Sequence, residues 1–192
     1  MTVSEVVSAI MRDASFYGDT GGVTVSGGEP VLHPHETIAL LAACKEQGIS
    51  TAIETCGYFP SEYIPALCDV TDLFLYDVKD TDPARHKAYT GVDNSLILQN
   101  LKAIDRQGGK TRLRCILVEG VNTTEEHYAA LAELYLSLNR CEGVELLPYH
   151  AYAGSKCLPL GRPDNGHPEW IPTPETVAQA KAVLTSHGVK VR

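Results

Sequence analysis

The stretch "GGVTVSGGEPVLHP" (residues 21–34) joins a short β-branched run, Val23 to Ser26, to two bare glycines, a lone carboxylate at Glu29 and a proline at position 34. β-branched side chains favour the pleated, half-buried surface of a strand, and proline suits the first turn of a helix. The segment therefore reads as strand, exposed loop, helix. Gly27 and Gly28 let a ligand approach the peptide groups at the strand tip and pair with them as a neighbouring strand would. Glu29 offers an anionic acceptor suited to an ammonium group.

Working outward, the same alternation continues. Thr2 and Glu5 form a capping-box pattern ahead of Val6, Val7, Ile10 and Met11, which predicts a helix with one buried face. Downstream, strands are expected over 49–54, 73–78, 112–118, 144–148 and 189–191. Helices are expected over 34–47, 60–68, 83–89, 95–106, 124–139 and from Thr173 to a Gly188 stop. Strands separated by helices are spaced too widely for hairpins, so they form a parallel sheet with right-handed crossovers. The expected fold is α/β, a single domain over 1–192, built as an open, partial TIM-like β/α barrel of about six parallel strands. Six strands are too few for a closed eight-fold barrel, and no G-x-G-x-x-G or G-x-x-x-x-G-K-[ST] fingerprint favours a doubly wound nucleotide fold. The irregular segment 150–172 is the candidate lid.

Composition narrows the function classes. A formal charge of −8 with only 16 Lys and Arg argues against a nucleic-acid partner. Apolar stretches such as 38–44 fall well short of the ~20 residues that span a bilayer, and Met1 is not followed by a basic-then-apolar leader. A cytoplasmic protein without membrane contact is expected. The six cysteines, Cys44, Cys56, Cys68, Cys115, Cys141 and Cys157, include no pair at C-x-x-C or C-x-x-x-C spacing. They read as reduced thiols, with Cys44, Cys68 and Cys115 in core-like patterns.

Polar residues collect at the C-terminal ends of the strands: Ser26-Gly27-Gly28-Glu29, then Glu54-Thr55, then Asp77 and Lys79, then Glu119, then Tyr149 and His150. Arg112 and Arg114 alternate with Leu113 and Cys115 inside one strand. In barrel folds this rim carries the chemistry. Lys79 or Arg114 would suit a ligand carboxylate, Asp77 or Glu54 ribose hydroxyls, and His150 a base ring. An amino-acid zwitterion attached to a nucleoside fits this inventory, which does not by itself single it out.

The chain resembles the radical S-adenosylmethionine superfamily, and within it the activating enzymes of glycyl-radical enzymes, of the pyruvate formate-lyase activating type. The resemblance runs through "FYGDTGGVTVSGGEPVLHP", "GISTAIETCGY", "VTDLFLYDVKDTDPARHKAYTGVDN", "RLRCILVEGVN" and "VELLPYH", in order and at the family's spacing. It implies that Ser26, Gly27, Gly28 and Glu29 receive the methionine amino group of S-adenosylmethionine. It further implies that Asp77 and Lys79 lie near the ribose and carboxylate, that Arg114 is the arginine of the "R-x-x-x-V-x-G" strand, and that His150 lies near the adenine. Glu54, Thr55 and Asp77, with the Leu75 carbonyl, match a monovalent-cation site, although family members often carry Asp where this chain has Glu54.

By the same resemblance, an intact member uses an electron donor and a [4Fe–4S] cluster to cleave S-adenosylmethionine reductively. The 5′-deoxyadenosyl radical so formed takes a hydrogen atom from a glycine of a partner glycyl-radical enzyme. The family's C-x-x-x-C-x-x-C cluster motif is missing, and Cys56 has no companions at ligand spacing, so no iron–sulfur ligands are expected here. The expectation is an N-terminally truncated member that is inactive alone. The alternatives are a cluster-free module that binds S-adenosylmethionine or a protein, and, ranked last, a lyase using Lys79 as a Schiff base. The D-x-K spacing sets a carboxylate beside Lys79, which disfavours the neutral amine that such a lyase needs.

Overall fold

The computed structural model describes residues 1–151 and 166–192. Most of the candidate lid, residues 152–165, lies outside the described residues. Five strands, β1 (Gly22–Val25), β2 (Ser50–Thr55), β3 (Leu73–Val78), β4 (Thr111–Leu117) and β5 (Cys141–Pro148), form one sheet in the order β1-β2-β3-β4-β5. All neighbours are parallel. Seven α-helices frame them among the described residues: α1 (Val3–Arg12), α2 (Pro34–Glu46), α3 (Ile64–Val70), α4 (Pro83–Thr90), α5 (Ser95–Arg106), α6 (Glu125–Leu136) and α7 (Pro174–Ser186).

The strand order decides between the two architectures open to a βα repeat. A doubly wound sheet reverses its order once, and that reversal sends helices to both faces. Here strands succeed one another without reversal, so crossovers of one hand place the helices on one face only. Burial agrees. In β2 to β4, Ile53, Phe74, Tyr76, Leu113, Cys115 and Leu117 are buried and join Leu41, Leu67, Leu101, Leu131 and Leu184 of the helices in one core. The alternate residues, Glu54, Leu75, Asp77, Arg112 and Arg114, point to the other face and are half-buried. The architecture is the expected open α/β barrel segment, and its inner face bears charge.

Two expectations are corrected. The sixth strand reduces to an isolated parallel bridge between Val144 and Val191. Only two bonds form there, from the Val144 N–H to the Lys190 carbonyl and from the Arg192 N–H to the Val144 carbonyl, each 2.9 Å, next to an irregularity in the β4–β5 register. The capping box of α1 is present: the Thr2 N–H donates to Glu5 Oε2 at 2.7 Å and the Glu5 N–H to Thr2 Oγ1 at 3.3 Å. No residue of α1 is fully buried, however, because the helix packs along α2 at the edge of the sheet, where the neighbouring strand β1 is itself half-exposed. No helix among the described residues is long and apolar enough to cross a membrane.

Candidate active site at the C-terminal rim

At the tip of β1, Gly27 adopts φ 131°, and neither Gly27 nor Gly28 has any atom within 4 Å of where a side chain would begin. Both glycines are exposed. What holds the loop is Glu29. Its carboxylate accepts from the Val31 N–H at 3.2 Å and the Thr55 hydroxyl at 2.8 Å on Oε1, and from the Cys56 N–H at 2.8 Å on Oε2. Thr55 Oγ1 in turn accepts from the Gly57 N–H at 2.9 Å. The residue expected as an open acceptor for a ligand's ammonium is therefore occupied by three protein donors, and it clips the glycine loop to the tip of β2.

A ladder of charge crosses the sheet beneath this loop. The Ser26 hydroxyl donates to Glu54 Oε2 at 3.0 Å, and the other Glu54 oxygen is ion-paired with Arg114. Arg114 is also 3.8 Å from Asp77 and 4.0 Å from Glu145, and Lys79 pairs with Asp77 at 3.1 Å. Register explains the meeting: Asp77 lies opposite Arg114, and Arg114 opposite Glu145. Glu54 sits one strand further away, opposite Leu75, and is long enough to reach across it. Three carboxylates thus surround two cations.

Burial pushes the Glu54 carboxyl upward, but the Arg114 guanidinium and the Ser26 hydroxyl outweigh it and hold the group below its ordinary value. A group depressed in the fold stabilises it above the unfolded pKa and loses that contribution as pH falls through the folded value. Wild-type stability is accordingly expected to fall more steeply than that of Glu54→Gln between about pH 5 and about pH 3; superimposable urea midpoints across that range would contradict the pairing.

The predicted residues separate as follows. Ser26, Gly27, Gly28, Asp77, Lys79 and Arg114 come together at one end of the sheet. His150 is exposed on the same rim, just past β5, where the Tyr149 N–H donates to the Leu117 carbonyl at 2.9 Å. Arg112 points to the same face but pairs with Glu142 at 3.2 Å. Of the residues proposed for a cation, Glu54 and Asp77 share the inner face and flank Arg114, while the Thr55 side chain lies on the other face. Consecutive strand residues point to opposite faces, and Thr55 is buried on the helix side while Glu54 lies on the inner face.

Two residues not singled out from sequence complete the site. Glu145 is the in-register partner of Arg114. Asn122 is buried, donates to the Lys79 and Ile116 carbonyls at 3.1 and 2.9 Å and accepts from the Val118 N–H at 2.8 Å, locking the tip of β3 to that of β4. Glu145 lies in the period-two pattern of 144–148 and Asn122 closes the quoted "RLRCILVEGVN", but neither spacing showed which groups they would meet.

The sequence profile described as the Radical SAM superfamily matches residues 1–133, and these hold the glycine loop, Asp77, Lys79 and Arg114. This chain belongs to the radical SAM superfamily. It is 43% identical over 173 residues to the choline trimethylamine-lyase activating enzyme of Oleidesulfovibrio alaskensis, covering 87% of this chain and 56% of that protein. It is 36% identical to the pyruvate formate-lyase-activating enzyme of Streptococcus mutans, covering 95% of this chain and 72% of that one. Among solved structures, a domain of the pyruvate-formate lyase-activating enzyme from Bacteroides vulgatus superposes with a TM-score of 0.74 at 32% identity, covering 89% of this chain and 97% of that domain. This radical SAM chain thus spans only part of the length of such curated relatives.

The superfamily uses S-adenosylmethionine and a [4Fe–4S] cluster, and the two fare differently here. Cluster ligation needs several converging thiolates. Among the described residues the cysteines are all free and no group of three His, Cys, Asp or Glu is arranged to hold a metal. Cys44 and Cys115 are buried in the core. Burial and the adjacent Glu29 push the Cys56 thiol up to about 11, away from the thiolate that iron requires. The described residues do not fit the cluster. The exposed Gly27–Gly28 loop lies beside a rim where three carboxylates meet two cations, an excess of negative charge that suits the cationic S-adenosylmethionine.

Proposed function

We propose that this chain is the S-adenosylmethionine-binding part of an activating enzyme for a glycyl-radical enzyme, without a cluster of its own among the described residues. The observation that carries the reading is the convergence of the open glycine loop with the Glu54–Arg114–Asp77–Lys79 ladder on one rim of the radical SAM fold. S-adenosylmethionine supplies a sulfonium and an ammonium against one carboxylate, and a site with three carboxylates around two cations is charged to match.

On this reading the peptide groups of Gly27 and Gly28 receive the methionine end, with Glu29 holding the loop in place. Lys79 takes the carboxylate, Asp77 the ribose hydroxyls, and His150 lies against the base. Arg114 neutralises Glu54 and orients Asp77. The partner is a protein that bears the target glycine, as the activating-enzyme relatives suggest. The free thiols accord with a reducing cytoplasm.

Ligand-observed NMR tests the binding claim. Saturation transfer to S-adenosylmethionine at millimolar concentration is expected, and it should disappear in Asp77→Asn with Lys79→Met. Iron–sulfide reconstitution should give no stoichiometric brown cluster. Absence of transfer in the wild type would remove the proposed function; a full cluster with cleavage under dithionite would overturn the cluster-free assignment.

A further inference from the structure

Lys79 stands one residue past the end of β3, beyond the last laddered pair, Val78 with Cys115. Buried side chains hold the main chain from there on. Asn122 Nδ2 donates to the Lys79 carbonyl at 3.1 Å, and Asn94 Nδ2 donates to the Asp80 and Thr81 carbonyls at 3.1 and 3.0 Å. Both asparagines are buried.

The turn that follows is built around the Asp80 carboxylate. Asp80 is only 5% exposed, and desolvating a lone carboxylate is costly. A guanidinium fork offsets that cost: Arg85 Nε and Nη2 donate to its two oxygens at 2.5 and 2.8 Å, and the Asp82 N–H adds a bond at 2.9 Å. The contact with Asp80 pushes the Arg85 guanidinium up, so the pair stays charged. Arg85 lies in the first turn of α4, where its own N–H donates to the cap residue Asp82 at 2.6 Å, so it is fixed at both ends. The His127 ring reaches in from α6. It is buried, with Nδ1 2.9 Å from Thr81 Oγ1 and 3.7 Å from Asp80 Oδ1. Burial pushes this ring down to about 4, which keeps it neutral at pH 7 and leaves Arg85 to balance Asp80.

Groups from α4, from the residue before α5, from the tip of β4 and from α6 thus converge on three residues, Lys79 to Thr81. The side chain that this segment sends to the rim is the exposed Lys79, paired with Asp77 at 3.1 Å. We propose that the Asp80–Arg85 pair, braced by His127, is a positioning element that sets the Lys79 ammonium for S-adenosylmethionine. The inference rests on the proposed function and adds to it residues that do not themselves touch the ligand. A lysine loses rotamer freedom when it grips a ligand, and fixing its root in advance removes part of the ordering cost of binding.

S-adenosylmethionine would be titrated by saturation transfer against wild type, Asp80→Asn, Lys79→Met and the double variant. Asp80→Asn is expected to weaken binding about fivefold or more. A residue that acts through Lys79 has nothing left to act on once Lys79 is Met, so the double variant should bind as Lys79→Met does. A general loosening of the fold would instead make the two losses add. Asp80→Asn with Arg85→Gln leaves no unpaired buried charge; it should show the same weakening with a melting temperature nearer wild type, which separates positioning from unfolding. Wild-type affinity in Asp80→Asn, or losses that add, would overturn the positioning role and leave the proposed function standing. A wild type without saturation transfer would remove both.

Discussion

Gly57→Ala is expected to destabilise the protein by roughly 3–5 kcal/mol, because the new methyl must displace a buried ring, a left-handed backbone must be strained, and a buried hydrogen bond is at risk. Gly57 has φ 76°, and a Cβ built there lies 1.8 Å from the Tyr76 hydroxyl oxygen. Tyr76 cannot yield easily: it is fully buried and its hydroxyl donates to the Ile97 carbonyl at 2.7 Å. The Gly57 carbonyl is itself held by Asn100 Nδ2 at 2.9 Å. For a chain of this size the cost corresponds to a fall in Tm of about 10 °C. Gly108→Ala is the control, since Gly108 has a similar φ of 84° but nothing within 4 Å of the built Cβ. Calorimetric melts that place the two variants within about 1 kcal/mol of each other would show that the contact with Tyr76 does not limit this turn.

Glu29→Gln should cost less stability and more function. The glutamine keeps the shape but turns one acceptor into a donor, facing protein groups that are donors at both oxygens: Val31 N–H and Thr55 O–H at one, Cys56 N–H at the other. One charge-assisted bond or more is lost, worth about 1–3 kcal/mol. With the clip released, the peptide edge at Gly27 and Gly28 no longer has a fixed position relative to Asp77 and Lys79. S-adenosylmethionine affinity is expected to drop about tenfold or more, since loss of pre-organisation adds an ordering cost to binding. Amide exchange at Cys56 should accelerate in parallel. Wild-type affinity together with unchanged Cys56 protection would mean that Glu29 does not hold the loop.

Individual elements show why some of this could be read in advance. The capping box at Thr2 and Glu5 depends on residues three apart, and it is present as expected. Asp77 and Lys79 are two apart on one strand end, so the period-two rule alone brings their side chains to the same side, where they pair. The same rule sends the side chains of Glu54 and Thr55 to opposite faces of the sheet. By contrast, the sixth strand looked like its predecessors in composition, but strand pairing depends on what its neighbour offers, and the register beside it is broken.

Local chemistry, written in residues a few positions apart, determined the βα alternation, the exposed glycine loop at the tip of β1 and the gathering of polar groups at the strand ends. The tertiary structure alone decided which charges meet: Glu54 reaches Arg114 across Leu75, Glu145 faces Arg114 from the next strand, and Trp170 returns to close a cavity against Ile116 and Val118. The physical reason is that inter-strand register and the return of a distant segment are set by the packing of the whole core, whereas capping, turns and side-chain alternation are set by the bond geometry of neighbouring residues.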